Sequence, residues 1–270
     1  MLNTKIIQSY PKISIVTPSY NQARFIDKAI KSVINQNYPN FEHIIFDNCS
    51  TDGTIDILKK YPHLIWISEP DNGQSDALNK GFKKASGDLI GWLNADDLYL
   101  PGCFHSVVKT LKMHPGCDVI YGDYRWIDEE GNLIKLCREI DFDLFIFKYL
   151  HVSHISSVST FFRDTIFKEG NFLNADYHYS MDYELFLRIV LKGHRFVHVR
   201  SFLADFRCYP GTKSKLNKKR QIQEKEEALF LHDDVMQRIY NPALPIVRIL
   251  FMLAARIKRA LLKAIDSVMF

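Results

Sequence analysis

The chain has 270 residues, 47% hydrophobic and 24% charged, enough apolar material for a full core and too much for a disordered polypeptide. Its formal net charge of +4 is unevenly placed: residues 211–270 hold 12 Lys and Arg against 6 Asp and Glu, a net of +6, which leaves −2 on the rest. The main body is therefore no basic platform for nucleic acid, and no nucleic-acid partner is expected. Cys49, Cys103, Cys117, Cys137 and Cys208 are odd in number and form no C-x-x-C pair, which fits a reduced, cytoplasmic setting. The opening MLNTKIIQSYPK lacks the apolar core of a signal peptide, and no uncharged apolar run reaches the ~18 residues of a membrane span.

From Ile13 to Asn94 short apolar runs alternate with helical patterns, which predicts β-α-β units and a mainly parallel sheet. The runs are Ile13–Thr17, Phe41–Asp47, Leu64–Ser68 and Asp88–Leu93. Between the first two, Ile26, Ala29, Ile30, Val33 and Ile34 make the stripe of a helix lying on a sheet. Between the second and third, Ser50 or Thr51 can cap a helix with Asp52 in its first turn. Further on, a hairpin is expected at residues 128–132, a strand at Val158–Arg163, a helix at Met181–Leu191, and strands at Phe196–Val199 and Phe202–Arg207. After Pro210-Gly211 a charged helix, about Lys218–Gln237, leads into an amphipathic segment beyond Pro242. The expected division is a domain over residues 1–210 and a helical tail over 211–270.

In such a sheet ligands bind beyond the carboxyl ends of the strands. Here those ends are polar: Thr17-Pro18-Ser19-Tyr20-Asn21, Asp47-Asn48-Cys49-Ser50-Thr51-Asp52-Gly53 and Asn94-Ala95-Asp96-Asp97. Neither common glycine loop for phosphates occurs, so a diphosphate needs another means of neutralisation. Asp96 and Asp97 can supply it by holding Mg²⁺ or Mn²⁺, hard cations that take oxygen ligands and keep positions open for substrate phosphate. An isolated Asp-Asp pair equally serves a solvated loop or a helix cap, and the strand-end position is what favours metal.

In chain order the segments ISIVTPSYNQ, FEHIIFDNCSTDGT, SEPDNGQSDALNKGFKKASGDLIGWLNADDLYLPG, SMDYELFLR and ADFRCYPGTKS resemble the family 2 glycosyltransferases, an inverting group with the GT-A fold, over about Ile13–Ser214. The resemblance implies an α/β, GT-A-like single Rossmann-type domain and a metal-dependent, hexosyltransferase-type enzyme of cell-surface polysaccharide or glycolipid synthesis. It places Pro18, Tyr20 and Asp47 in the nucleotide pocket, Asp96 as metal ligand of the D-x-D element, Asp76 and Asn79 near donor phosphate or sugar, and Asp182 as general base. Asn94 stands where the first Asp of D-x-D is usual, leaving an amide that can bond a ribose hydroxyl, and Asn48-Cys49 replaces the usual Asp-Gly.

Chemistry points to Asp182 as well, because an acceptor hydroxyl attacks only as its proton leaves and one placed carboxylate contributes ~10²–10⁴-fold. An Asp at a helix start is also an ordinary cap. His151 and His154 lack further ligands nearby, Phe161-Phe162 suit a core, Tyr177–Tyr179 suit the wall of an acceptor cleft, and Lys213-Ser214 suit a loop closing over a diphosphate. In the last segment Leu250, Leu253, Ala254, Ile257, Leu261, Ala264, Ile265 and Val268 fall on one helical face, with Arg248, Arg256, Arg259 and Lys263 opposite. That pattern predicts a helix lying on the cytoplasmic face of a membrane, with a saccharide or lipid-linked acceptor. Packing of the stripe on protein is the other reading. A nucleotide-sugar binder without catalysis and a nucleotidyltransferase remain alternatives for the whole.

Overall fold

The computed structural model describes residues 10–150, 155–213, 217–233 and 245–269. His151, His154, Ser214 and the expected helical residues 234–237 lie outside them, as does the N-terminal segment through residue 9.

The core of the fold is a sheet in the order β3-β2-β1-β4-β8-β6-β9-β5, with β7 paired to β6. The strands are β1 (Ile13–Ser19), β2 (Phe41–Asp47), β3 (Leu64–Ser68), β4 (Leu89–Trp92), β5 (Leu98–Tyr99), β6 (Val119–Ile127), β7 (Leu133–Cys137), β8 (Thr160–Arg163) and β9 (Phe196–Arg207). From β3 to β4 every pairing is parallel, as the alternation predicts. Beyond β4 the sheet becomes mixed, because β8 runs antiparallel between β4 and β6. Covered on both faces, β1 reads as a continuous apolar run, with Ile13, Ile15 and Val16 wholly buried.

Helix α1 (Ile26–Ile34) lays Ile26, Ala29, Ile30 and Val33 on the sheet, the predicted stripe. Helix α2 (Thr54–Leu58) starts later than Ser50 or Thr51, because the Ser50 hydroxyl already donates to Asp47 and accepts from Asn21 N; Gly53 stands at its N-cap, and Asp52, just before it and outside the first turn, accepts from Thr54 N. Helix α3 (Gln74–Lys84) crosses β1 at Gly81, where a Cβ would stand 2.2 Å from Val16 Cγ1. Helix α4 (Cys103–Met113), α5 (Leu144–Leu150) and α6 (Asp164–Lys168) follow in the middle of the chain. Asp128 Oδ1 accepts from Gly131 N and Asn132 N, closing the expected hairpin.

Two expected strands near the end of the sheet are one: Val199 pairs with Gly122 and Phe202 with Asp123, so Arg200 and Ser201 form a bulge inside β9. Helix α7 (Met181–Leu191) has the predicted bounds. Helix α8 (Lys218–His232) is woven into the main body, placing Ala228 and Leu229 in the same apolar cluster as Val16, Leu78 and Leu185. The last helix, α9 (Pro245–Met269), packs on α5, with the Phe251 ring stacked 4.8 Å from that of Tyr149.

Candidate active site

One large cavity, about 820 Å³, opens beyond the carboxyl ends of β1, β2 and β4, where the topology of a doubly wound sheet puts a ligand. Its wall on that side carries Pro18, Tyr20, Asn48, Asn94, Asp96 and Asp97. A second wall carries His178, Tyr179, Asp182, Lys213, Gln221 and Lys225, from α7, α8 and the segments before them.

Asp47 lies beneath this wall, not on it. It is 1% exposed, and its carboxylate accepts from Ser19 Oγ, Ser50 N, Ser50 Oγ and Ser68 Oγ. In register with Ser19 on one side and Ser68 on the other, it ties three strand ends together, and the next residue, Asn48, faces the cavity instead.

Asp76 and Asn79 also fall outside the cavity. Gln74 and Ala77 line it from the first turns of α3, and a residue two positions further on a helix points roughly 200° away. Asp76 accordingly accepts from Asn72 N and faces Lys80, while Asn79 makes a two-way clamp with the Leu173 backbone, at 2.8 and 2.9 Å. Gln74, which nothing in the sequence singled out, bridges the two walls: its Nε2 donates to Asn94 Oδ1 and its Oε1 accepts from Lys213 Nζ.

After β4 the neighbouring carboxylates differ. Asp97 is 1% exposed and accepts from Arg207 N and Asn94 Nδ2; burial, then the nearby charge of Asp96, pushes its carboxyl well up. Asn94 is spent on the protein, since its Oδ1 also accepts from Trp92 Nε1. Asp96 is half-buried and lines the cavity. Burial raises its carboxyl, while the Tyr209 hydroxyl and the Arg207 charge act the other way. Asp96 is thus the more open carboxylate of the pair, and Asp97 the buried, hydrogen-bonded one behind it.

Arg207, unassigned by sequence reasoning, is the keystone of this corner. It is 1% exposed, lies over the Phe25 ring, and donates from Nε to Asp96 O and from Nη1 to Asp128 O and Glu129 O. Among the described residues no cluster of three or more His, Cys, Asp or Glu is poised for a cation. A pocket carboxylate with a braced neighbour still suits Mg²⁺ or Mn²⁺, which bind through one or two carboxylates and complete their shell with substrate phosphate and water.

On the second wall Asp182 sits in the first turn of α7, its Oδ1 accepting from Tyr183 N at 2.8 Å. Burial raises its carboxyl; the Lys225 and Lys213 charges pull it back. Both ammonium groups are themselves lowered by burial. The start of α7 is fixed from α8: Glu224 Oε2 accepts from Tyr179 N and Ser180 N, and Ser180 Oγ donates to Gln221 O. A Glu 44 positions or more downstream in a charged helix gives no sign of this in the sequence.

Comparison with known proteins agrees with the fold. The family model described as Glycosyl transferase family 2 matches residues 14–171. A putative teichuronic acid biosynthesis glycosyltransferase of Bacillus subtilis, TuaG, is 32% identical over 127 residues, covering 45% of this chain and 50% of that protein. An uncharacterized glycosyltransferase of Rickettsia typhi is 30% identical over 188 residues, covering 67% of this chain and 59% of its own. This chain therefore spans only about half the length of the curated relatives it matches. Among solved structures, Staphylococcus aureus TarS 1–349 in complex with UDP superposes with TM-score 0.62 at 17% identity, over 82% of this chain and 66% of that one. The mannosyltransferase PcManGT of Pyrobaculum calidifontis, in complex with GDP-Man and Mn²⁺, does so with TM-score 0.57 at 16% identity, over 94% and 88%. The fold is of the GT-A kind.

Proposed function

We propose that this chain, which belongs to glycosyltransferase family 2, moves a hexose from a nucleoside-diphosphate donor to an acceptor hydroxyl in the 820 Å³ cavity, with inversion at the anomeric carbon. The observation that carries the reading is the meeting of two carboxylates in one cavity from different elements: Asp96 after β4 and Asp182 at the start of α7. The first wall is the donor rim and the second the acceptor rim. TarS in complex with UDP and PcManGT in complex with GDP-Man and Mn²⁺ support a nucleotide-sugar donor. The name of TuaG supports a polysaccharide product of the cell surface.

On the donor rim Asp96, with Asp97 behind it, would hold Mg²⁺ or Mn²⁺. Such an ion, when bound, serves as a Lewis acid for the charge on the departing diphosphate. Lys213 Nζ, which donates to Gln74 Oε1 and His178 O, adds a cation where the rims meet. Asp182 accepts the proton of the acceptor hydroxyl as its oxygen bonds to the anomeric carbon. The bond from that carbon to the diphosphate oxygen breaks on the opposite side, and the nucleoside diphosphate leaves with the electron pair. A base facing away from the leaving group is what makes the transfer inverting. No helix among the described residues is long and apolar enough to cross a membrane; in this reading the acceptor is a saccharide or a lipid-linked one.

The test is a panel of UDP-, GDP- and dTDP-sugars with Mg²⁺ or Mn²⁺, read by the nucleotide produced. Nucleoside diphosphate supports glycosyl transfer, pyrophosphate would make the chain a nucleotidyltransferase, and thermal stabilisation by a donor without turnover would make it a binder.

A further inference from the structure

The sequence places an apolar stripe and a basic face on opposite sides of the last helix, and an ordinary surface helix would turn the stripe inward. The structure does the reverse. Arg259 Nη2 donates to Glu139 Oε2 at 2.8 Å, Lys258 Nζ pairs with Asp143 Oδ2 at 2.5 Å, and Lys263 Nζ donates to Arg138 O at 2.6 Å. Asp266, the only acid of α9, is turned in to Arg200 Nη2 at 3.2 Å. Phe251 and Ala255 pack inward with them. Ile249, Leu250, Leu253, Ile257, Leu261 and Ile265 are left facing outward, 47–62% exposed.

We infer that this outward stripe of α9 is a docking face for an anionic membrane surface, held rigidly to the catalytic body by the inward ion pairs. Three observations select lipid over protein. The stripe from Ile249 to Ile265 is a single convex ridge about 24 Å long and ~10 Å wide, on the order of 240 Å², well short of the ~800 Å² per partner that a stable dimer buries. Its flanks carry Arg256, Lys258 and Lys263 and no acid, so two copies would bring like charges together, whereas anionic headgroups complement them. The helix also fails as a membrane span, which leaves the interface as the place where its apolar side can be buried. Because Lys258 and Lys263 already have protein partners, the apolar ridge supplies most of the binding and the charges a salt-sensitive part.

Docking in this way also sets the acceptor. Helix α9 packs on α5, and α5 ends at Leu150, a few residues before Ile155 and Ser156 on the cavity wall. A body held at a membrane surface by α9 suits an acceptor whose anchor stays in the bilayer. This last step rests on the glycosyltransferase reading; the docking does not.

The experiment is co-sedimentation of the full chain with phosphatidylglycerol or phosphatidylcholine vesicles at low and high salt. Alongside it goes the triple variant Leu253→Glu, Ile257→Glu, Leu261→Glu, whose positions are exposed, so the fold is kept. Expected are binding to phosphatidylglycerol that weakens with salt and a partition coefficient at least about tenfold lower in the variant, with donor turnover in solution unchanged. Full chain left in the supernatant at low salt, equal binding by the variant, or equal binding to phosphatidylcholine each overturns the inference. So does a dimer in solution that the variant abolishes. Vesicle binding without any donor turnover would instead sink the glycosyltransferase reading and leave the docking face standing.

Discussion

The two walls of the cavity, assigned by the proposed function to a donor rim and an acceptor rim, are assembled in different ways. On the donor rim the facing side chains follow strand ends directly: Tyr20 after β1, Asn48 after β2, Asp96 after β4. Their supports are pairings across the sheet: Asp47 with Ser19 and Ser68 of the neighbouring strands, and Arg207 of β9 with Asp96 and Asp97. On the acceptor rim Asp182, Lys213 and Lys225 come from separate elements, and the start of α7 is fixed by a residue of α8, 44 positions or more away. A rim set by sheet register tolerates losses among its polar groups, because the strands still place the rest. A rim set by helix docking depends on a few long-range contacts.

The largest expected effect falls where chemistry, not position, is removed. Asp182→Asn should lower kcat by ~10²–10⁴-fold while donor affinity stays within about twofold; a near-normal kcat would require a different base. The next largest breaks the donor rim: Asp96→Ala should abolish metal-dependent donor binding and lower kcat/KM by about 10²-fold, and excess chelator should stop the native chain. Calorimetric titration of donor with and without Mn²⁺ checks this, and undiminished turnover in chelator sinks it.

Removal of a support sharpens the contrast. Glu224→Ala strands the buried Tyr179 and Ser180 amides, at a cost of about 1–3 kcal/mol for each orphaned group, and should lower kcat more than it raises donor KM. Glu224→Gln, which keeps an acceptor oxygen, should restore much of both. If Glu224→Ala unfolds nothing and leaves kcat intact, the acceptor rim does not depend on α8.

A smaller effect is one of pH. Burial raises the Asp182 carboxyl above the ordinary range and Lys225 opposes that rise, so activity is lost on the acid side as pH falls through the raised value. In Lys225→Met the opposing charge is gone, the carboxyl holds its proton to higher pH, and the acid limb of kcat/KM should move up. A limb unmoved, or moved down, contradicts the placement of Lys225 beside the base. The smallest effect belongs to Asp76→Ala, which should leave donor KM and kcat within about twofold and cost about 1 kcal/mol or less, as for a partly exposed pair 3.6 Å from Lys80. A large loss of donor affinity would bring Asp76 back to the phosphates, where the motif alone would put it.

Part of this site can be read along the chain. Alternating apolar runs specify β1 to β4 and their helices, because burial on both faces demands near-continuous Ile and Val and the helix on the sheet demands its 3.6-residue stripe. Polar strand ends then mark the donor rim. Within that rim the chain is silent on facing: Asp47 and Asn48 are adjacent, as are Asp96 and Asp97, and only the pleat and the packing behind it decide which carboxylate faces the cavity and which is consumed by hydroxyls and amides. On α3 the motif names Asp76 and Asn79, but the rotation of the helix on β1, set by the Gly81–Val16 approach, presents Gln74 and Ala77.

What the sequence by itself determined is therefore the parallel half of the sheet, the place of the pocket on it, the bounds of α7 and the amphipathic character of α9, all properties of local periodicity. The tertiary structure alone decided the mixed half of the sheet, the keystone role of Arg207, the bracing of the α7 start by Glu224 and the side of α9 that faces out. Each of these depends on pairing groups far apart in the chain, and no local pattern encodes which distant carboxylate a buried arginine, a helix amide or a basic helix face will meet.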